Sequence, residues 1–273
     1  MTSTAQTNLP PSPAAIYDAR FVPALFAPWA VRLVERAGVE QGHRVLDVAC
    51  GTGALTRAIA RRVGPEGSVV GLDLNPEMLA VARAKGAEDG AAAPTWVEGA
   101  AEELAFEASS FDRVLSQFGM MFFDRPVHAL REMQRVLRKG GRLTVSVCAA
   151  VDTSPGYAVL TELIHRLFGP EVAEAFRAPF RLGDPQQIRA LAREAGLLST
   201  HVATVPGRGN FASVADLVSM ERACAWTLGD LLDEDQFERL LAAAEVSLRP
   251  FVTPAGDLVV DLPAVVLEAY ARD

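Results

Sequence analysis

Short runs of apolar residues alternate with stretches of helical periodicity along most of this chain. Uninterrupted apolar runs are typical of parallel strands buried on both faces, and amphipathic stretches between them are typical of covering helices. The pattern therefore predicts an α/β fold with a doubly wound, mostly parallel sheet of seven strands. The predicted strands are Arg44–Ala49, Ser68–Asp73, Thr95–Glu98, Asp112–Ser116, Arg142–Cys148, His201–Val205 and Ala264–Ala271.

The helical stretches are bounded by proline and glycine. Residues 14–37 are predicted as two helices or one kinked helix, because Pro23 and Pro28 interrupt an apolar stripe that ends before Gly38. The segment 152–182 is also predicted to be helical. Further predicted helices are Thr52–Val63, Pro76–Lys85, Pro126–Val136, Asp184–Ala195, Val214–Ala225 and Glu234–Leu248, and Gly140 and Gly141 are predicted to form a tight turn.

The most informative segment is VLDVACGTG, residues 45–53. An apolar strand runs into Ala49, Gly51 and Gly53, and a predicted helix overlaps the end of this loop. Small residues allow a ligand to approach the backbone closely, and free N–H groups at a helix start can bind a carboxylate or phosphate. The sequence therefore predicts a ligand site at the carboxyl end of the first strand.

Asp73 ends the second strand about 20 residues after this loop, where an acid can accept hydrogen bonds from ribose hydroxyls. Thr56 stands where a dinucleotide-binding motif would have its third glycine, and the chain has no Gly-Lys-Ser/Thr of a P-loop. Asp47 would repel a pyrophosphate but can face an amino or sulfonium group. The alternative interpretation is a tight strand-to-helix turn without a ligand.

Composition narrows the possible partners. The chain has 26 Lys and Arg against 34 Asp and Glu, without a dense basic run, so we expect no nucleic-acid partner. No apolar run is long enough to span a bilayer and residues 1–13 lack a signal-peptide pattern, so we expect a cytoplasmic protein with no membrane association. Cys50, Cys148 and Cys224 lack zinc-site spacing, and we expect no metal.

Four segments in order resemble the class I S-adenosylmethionine-dependent methyltransferases: VLDVACGTG, GLDLNPEML, FDRVLSQFGMMFF and LREMQRVLRKGGRLTVSV. The chain is most similar to the small-molecule group that includes the ubiquinone/menaquinone C-methyltransferases (methyltransferase type 11). The resemblance covers residues 15–150 strongly and 182–197 more weakly. It implies a Rossmann-like fold and S-adenosylmethionine as the cofactor, with S-adenosylhomocysteine as the product.

The resemblance also implies which residues bind the cofactor. Asp47 and the loop backbone would hold the methionine part, Asp73 would bind the ribose, and Leu74 and Met78 would flank the adenine. Further residues would border the adenine edge, face the transferred methyl group, or cover the cofactor as an aromatic lid. The complete implied set is Tyr17, Phe21, Asp47, Ala49, Cys50, Gly51, Thr52, Gly53, Asp73, Leu74, Met78, Gly99, Ala100, Ala101, Glu102, Ser116, Gln117 and Phe118.

Two positions depart from the family pattern. Ala49 replaces the first loop glycine and is small enough to keep the turn, whereas Ala100 replaces an acid that often binds the adenine amino group. Catalysis itself needs little beyond alignment, because the sulfonium is already an activated electrophile. Gln117 and His165 are the candidate catalytic residues, although a structural histidine is the favoured interpretation of His165. For Trp29, packing in the core is the favoured interpretation.

These observations predict a methyltransferase that transfers a methyl group to O, N or C of a small, hydrophobic or aromatic molecule of secondary metabolism. The alternatives are a protein that uses the bound cofactor for non-methylating chemistry and a non-catalytic binding protein. We expect a monomer or homodimer. The predicted organisation is a disordered tail over 1–13, a cofactor-binding core with a helical lid over 14–151, a helical cap over 152–182, and the rest of the core sheet with substrate-side helices over 183–273.

Overall fold

The computed structural model describes residues 12–197, 199–224, 227–229 and 231–271. The strands are β1 (Arg44–Val48), β2 (Ser68–Asp73), β3 (Thr95–Glu98), β4 (Phe111–Gln117), β5 (Leu137–Cys148), β6 (Thr200–Val205), β7 (Arg208–Phe211), β8 (Leu258–Asp261) and β9 (Ala264–Tyr270). The α-helices are α1 (Pro13–Ile16), α2 (Ala27–Arg36), α3 (Ala54–Val63), α4 (Pro76–Ala84), α5 (Pro126–Val136), α6 (Pro155–Phe168), α7 (Pro170–Arg177), α8 (Pro185–Glu194), α9 (Val214–Ala223) and α10 (Glu234–Ser247).

The main sheet has seven strands in the order β3-β2-β1-β4-β5-β9-β6. Strands β3, β2, β1, β4 and β5 are parallel to one another, and β9 is antiparallel to both of its neighbours. Val45, Leu46 and Val48 in the central strand are completely buried, as expected for a strand with helices on both faces. The predicted fold class and sheet are therefore confirmed.

Helix starts follow the capping signals in the sequence. Asn75 accepts a hydrogen bond from the backbone N–H of Glu77 at 2.8 Å, and Pro76 occupies the first turn of α4. Asp184 caps α8 in the same way through the N–H of Gln186. The Asn75 cap fixes where α4 leaves the carboxyl end of β2, and this edge of the sheet carries the site.

The N-terminal helical segment is continuous, with a π-helix (Tyr17–Phe26) between α1 and α2. The prolines do not separate two helices: Pro23 lies inside the π-helix and Pro28 lies in the first turn of α2. Ser12 and Pro13 were predicted as part of the tail, but α1 begins at Pro13 with Ser12 as its cap. Residues 1–11 lie outside the described residues.

Two features of the strands differ from the sequence prediction. β5 begins at Leu137 rather than Arg142, and the glycine pair lies inside it, where the register with β4 shifts between Phe111 and Arg113. β7 and β8 form a separate two-stranded antiparallel sheet that the sequence analysis missed. The two strands are short and far apart in the chain, so their pairing depends on tertiary contacts.

The segment 152–182 is helical, as predicted, and forms α6 and α7 with short 3₁₀ turns at Val151–Thr153 and Ala178–Phe180. After it, α8 leads to β6, and α9 and α10 precede β8 and β9. The predicted end of α9 at Ala225 lies outside the described residues. In the described part of the chain, no helix is both long and apolar enough to cross a membrane.

Candidate active site

A cavity of about 600 Å³ opens at the carboxyl ends of the parallel strands. This is the edge at which ligands bind in doubly wound sheets. Most of the residues predicted to bind the cofactor line this cavity. They are Tyr17, Phe21, Asp47, Ala49, Cys50, Gly51, Thr52, Asp73, Leu74, Met78, Gly99, Ala100, Ala101, Glu102, Gln117 and Phe118.

The glycine loop between β1 and α3 follows a path that requires small residues. Ala49, Gly51 and Gly53 all have positive φ, at 59°, 54° and 81°. A side chain on Gly53 would also overlap the ring of Trp96, so this position is closed to larger residues by space as well as by backbone conformation. The loop therefore presents its backbone to the cavity, and Ala49 keeps the turn despite its side chain.

Asp47 lies at the base of the loop and is completely buried. One of its carboxylate oxygens, Oδ2, accepts a hydrogen bond from the Thr56 hydroxyl at 2.6 Å. The other, Oδ1, is buried with no hydrogen-bond partner in the described part of the protein. Burial raises the pKa of Asp47 to about 7, so this group is poised to gain a cationic partner from the cavity.

Asp73 connects the end of β2 to the loop. Its carboxylate accepts hydrogen bonds from the backbone N–H of Gly51 at 2.7 Å and from that of Asn75 at 2.9 Å. Burial raises the pKa of Asp73, while these backbone donors lower it. The side chain thus orders the loop and also lines the cavity.

Gln117 and Phe118, at the end of β4, also line the cavity. The Gln117 amide nitrogen donates to the backbone carbonyl of Phe26 at 3.0 Å, and its carbonyl oxygen is buried without a partner among the described residues. Phe118 has a φ of 54° and packs against Phe26, with ring centroids 5.7 Å apart. The amide of Gln117 is therefore held in a fixed position beside the cavity.

An aromatic group from the N-terminal helical segment covers this end of the cavity. The Tyr17 ring stacks on Phe21 and Phe26 at centroid distances of 5.8 and 5.2 Å. A side chain on Gly51 would come within 3.9 Å of the Tyr17 ring, so the tyrosine lies directly over the loop. Trp29 is 1% exposed and does not line the cavity, in agreement with its predicted packing role.

The cavity has an acidic lining. Asp47, Asp73, Glu102, Asp124 and Glu221 contribute to its wall, and the described lining residues include no Lys, Arg or His. Such a wall favours a cationic ligand over one that carries a pyrophosphate.

Comparisons with known proteins agree with this geometry. A sequence profile described as the ubiE/COQ5 methyltransferase family matches residues 24–173. The demethylmenaquinone methyltransferase of Staphylococcus aureus (strain JH9) is 33% identical over 190 residues, covering 66% of this chain and 78% of the relative. The chain belongs to the ubiE/COQ5 methyltransferase family.

Solved structures share the fold of this ubiE/COQ5-family chain. The YcgJ protein of Bacillus subtilis has a TM-score of 0.61 and 20% identity, covering 90% of this chain and 99% of that protein. The phosphoethanolamine N-methyltransferase 2 of Haemonchus contortus, in complex with S-adenosyl-L-methionine, also has a TM-score of 0.61, with 18% identity over 95% of this chain and 57% of that one. Membership of this family makes the chain an S-adenosylmethionine-dependent methyltransferase.

The site of this family member fits the cofactor. The unpaired Oδ1 of Asp47, the loop backbone and the acidic lining suit a ligand that carries an ammonium and a sulfonium. Ala100 lines the cavity but offers no side-chain acceptor, as noted from the sequence.

Three predicted site residues do not reach the cavity. Gly53 packs against Trp96 behind the loop, and Ser116 is completely buried inside the sheet because alternate residues of a strand face opposite sides. His165 was a candidate catalytic residue, but it lies on the exposed face of α6 and does not line the cavity. We therefore withdraw His165 as a catalytic candidate in this methyltransferase.

The sequence analysis missed the part of the cavity that is lined by Tyr157 from α6, Phe176 from α7 and Glu221 from α9. We call this part the far half, and the part next to the glycine loop the loop half. One signal was present: Val214, Leu217, Val218 and Glu221 share the buried face of α9, so a carboxylate lies in an apolar stripe. Cys50, Cys148 and Cys224 line the same cavity, yet no group of three or more metal-ligating side chains was found within the described residues.

Proposed function

We propose that this methyltransferase transfers a methyl group from S-adenosylmethionine to a small aromatic molecule in the far half of the cavity. The observation that carries this proposal is the continuity of the cavity, which joins the acidic loop half to a wall rich in aromatic residues. Aromatic and aliphatic walls favour an apolar acceptor. The Staphylococcus aureus relative is named a demethylmenaquinone methyltransferase, and a quinone acceptor agrees with this class.

The protein's contribution to the chemistry is alignment. When bound, S-adenosylmethionine supplies an activated methyl group on sulfur, and displacement requires the acceptor atom in line with the breaking bond. Asp47 would hold the cationic methionine end and Asp73 the ribose hydroxyls, while Gln117, Phe118 and Tyr17 would border the transferred methyl group. Exclusion of water by the aromatic residues would protect the sulfonium during transfer.

Calorimetric titration tests the cofactor directly. We expect purified protein to bind S-adenosylmethionine with micromolar affinity and not to bind NADH, because the acidic wall disfavours a pyrophosphate.

Incubation of the protein and S-adenosylmethionine with aromatic quinols should then release S-adenosylhomocysteine. His165→Ala is the matched control and should leave turnover within about twofold, since the exposed imidazole lies outside the cavity. Cofactor binding without release of product for any aromatic acceptor would argue against the proposed acceptor class.

A second experiment tests the role of Asp47. Because burial raises its pKa to about 7, most of the population carries a proton at pH 6.5, and a neighbouring ammonium favours the carboxylate. Binding of S-adenosylmethionine at pH 6.5 should therefore release roughly half a proton or more. The release is measured by calorimetry in buffers of different ionisation enthalpy, and Asp47→Asn should abolish it. Equal release by the wild type and the variant would show that Asp47 does not face the cofactor.

A further inference from the structure

Glu221 is a buried carboxylate in the far half of the cavity, beyond residues 24–173 that the family profile matches. It is 2% exposed and lines the cavity. Oε1 accepts a hydrogen bond from the Tyr157 hydroxyl at 3.0 Å, whereas Oε2 is buried and has no hydrogen-bond partner in the described part of the chain. A buried carboxylate oxygen without a donor is costly, and because Glu221 lines the cavity, a molecule bound there can supply the missing hydrogen bond.

The surroundings of Glu221 fix its position. Tyr157 is held by stacking on Phe176, with centroids 6.0 Å apart, and by contact with Phe180 at 5.4 Å. The Thr227 hydroxyl donates to the backbone carbonyl of Glu221 at 3.0 Å and so ties the end of α9 to the following turn. The carboxylate is therefore oriented by its neighbours before any ligand binds.

The titratable groups facing Glu221 are Tyr157 from α6 and Cys148 from the end of β5. Cys224, just beyond α9, contributes to the raised pKa of Tyr157. Burial raises the pKa of Glu221 to about 7, against a weaker lowering by the hydroxyls of Thr227 and Tyr157. Burial also raises the pKa of Cys148 to about 12, so Glu221 is the member of this cluster that changes charge near neutral pH.

Glu221 lies on a helix that packs against the segment covering the glycine loop. Residues of α9 contact both α1 and the π-helix that carries Tyr17, and Tyr17 lies over Gly51. Tyr17, Tyr157 and Glu221 all line the one cavity, so an aromatic acceptor bound there would share it with the glycine loop and with Glu221.

We infer that Glu221 is the general base for an acceptor that carries an aromatic hydroxyl, with Tyr157 as its positioning residue. This inference rests on the proposed function. The hydroxyl proton moves to Oε2 of Glu221, and the electron pair left on oxygen forms the bond to the methyl carbon. The carbon–sulfur bond breaks with its electrons on sulfur, so that a neutral ether, a neutral thioether and a neutral carboxylic acid result.

The first test measures binding without the cofactor and uses 2-naphthol and naphthalene as probes. At pH 8 the ionised Glu221 should make the wild type bind 2-naphthol at least tenfold more tightly than naphthalene, because a hydrogen bond to a charged acceptor is lost with naphthalene. The preference should weaken at pH 6, where Glu221 is protonated. Glu221→Gln should reduce the preference at pH 8 to less than about threefold and remove its pH dependence.

Three further variants complete the test. Glu162→Gln changes an exposed carboxylate on α6 and should behave as the wild type. Tyr157→Phe removes a hydrogen bond that lowers the pKa of Glu221, so the preference for 2-naphthol should develop at a higher pH than in the wild type. This shift tests the inference even where Glu221→Gln does not fold.

Turnover of a hydroxylated aromatic acceptor is the kinetic test. Glu221→Gln should lower kcat at least 100-fold while the affinity for S-adenosylmethionine is unchanged. His165→Ala should leave kcat within about twofold of the wild type.

A wild type that binds both probes equally, or a Glu221→Gln variant that keeps the pH-dependent preference, would overturn the inference. Absence of S-adenosylmethionine binding to the wild type would instead overturn the proposed function, and it would leave the probe measurements unaffected. The two failures are therefore distinguishable.

Discussion

Replacing Asp73 by alanine is expected to weaken the binding of S-adenosylmethionine about 100-fold. The carboxylate accepts hydrogen bonds from the backbone N–H groups of Gly51 and Asn75, and it is proposed to accept two more from the ribose. Hydrogen bonds to a charged acceptor contribute about 1.5–3 kcal/mol each, so loss of the ribose pair alone costs about 3 kcal/mol. Loss of the loop contacts adds to this effect, because the backbone of the binding loop is then less ordered.

Calorimetry on folded protein measures this change in affinity, and circular dichroism verifies the fold. Glu77→Ala is the matched control, because this acid is exposed on the first turn of α4 and does not line the cavity. The control should keep its affinity within about twofold. Asp73→Asn retains one acceptor oxygen and should lose about tenfold. An Asp73→Ala variant with wild-type affinity would remove Asp73 from the cofactor site.

Replacing Trp29 by alanine is expected to lower the free energy of unfolding by about 3–5 kcal/mol. Trp29 is among the largest side chains that are fully buried, and its ring meets Phe118 edge-on at a centroid distance of 5.7 Å. Its other side lies against Gly207, where a side chain would overlap the indole. Because the residues around the indole are closely packed, they cannot fill the space that it leaves. A loss of about 3–5 kcal/mol is a large fraction of the free energy of unfolding of a typical domain.

Urea denaturation of the two proteins measures the difference. Val31→Ala is the matched control, because Val31 lies two residues away on the same helix and is 51% exposed. Its effect should stay below about 0.5 kcal/mol. A Trp29→Ala loss as small as that of the control would mean that the indole is not packed in the core between α2 and β4.

The loop half of the site was predictable because its parts are consecutive in the chain. Residues 45–53 contain a strand, a turn of small residues and the approach to a helix, and each of these is set by local backbone preferences. Asp73 follows one helix and one strand later, and parallel strands bring their carboxyl ends to the same edge. The order of the motifs therefore implies their positions in space.

The positions of single side chains were less predictable. Ser116 and Gln117 are neighbours in β4, but only Gln117 lines the cavity, since a strand alternates its side chains between two faces. His165 carries chemistry that is useful in an active site, yet the orientation of α6 turns it to solvent. The rotation of a helix about its axis depends on which neighbours bury its apolar face, and residue type alone does not fix it.

The sequence by itself determined the fold class, the order of the strands along the chain, the capped helix starts and the glycine loop with its two acids, because these depend on local propensity and short-range spacing. Only the tertiary structure decided the far half of the cavity. Its residues Tyr157, Phe176 and Glu221 come from three separate helices, and β7 pairs with β8 across an intervening pair of helices. Such contacts form when elements pack together, so their geometry follows from the shape of the whole core.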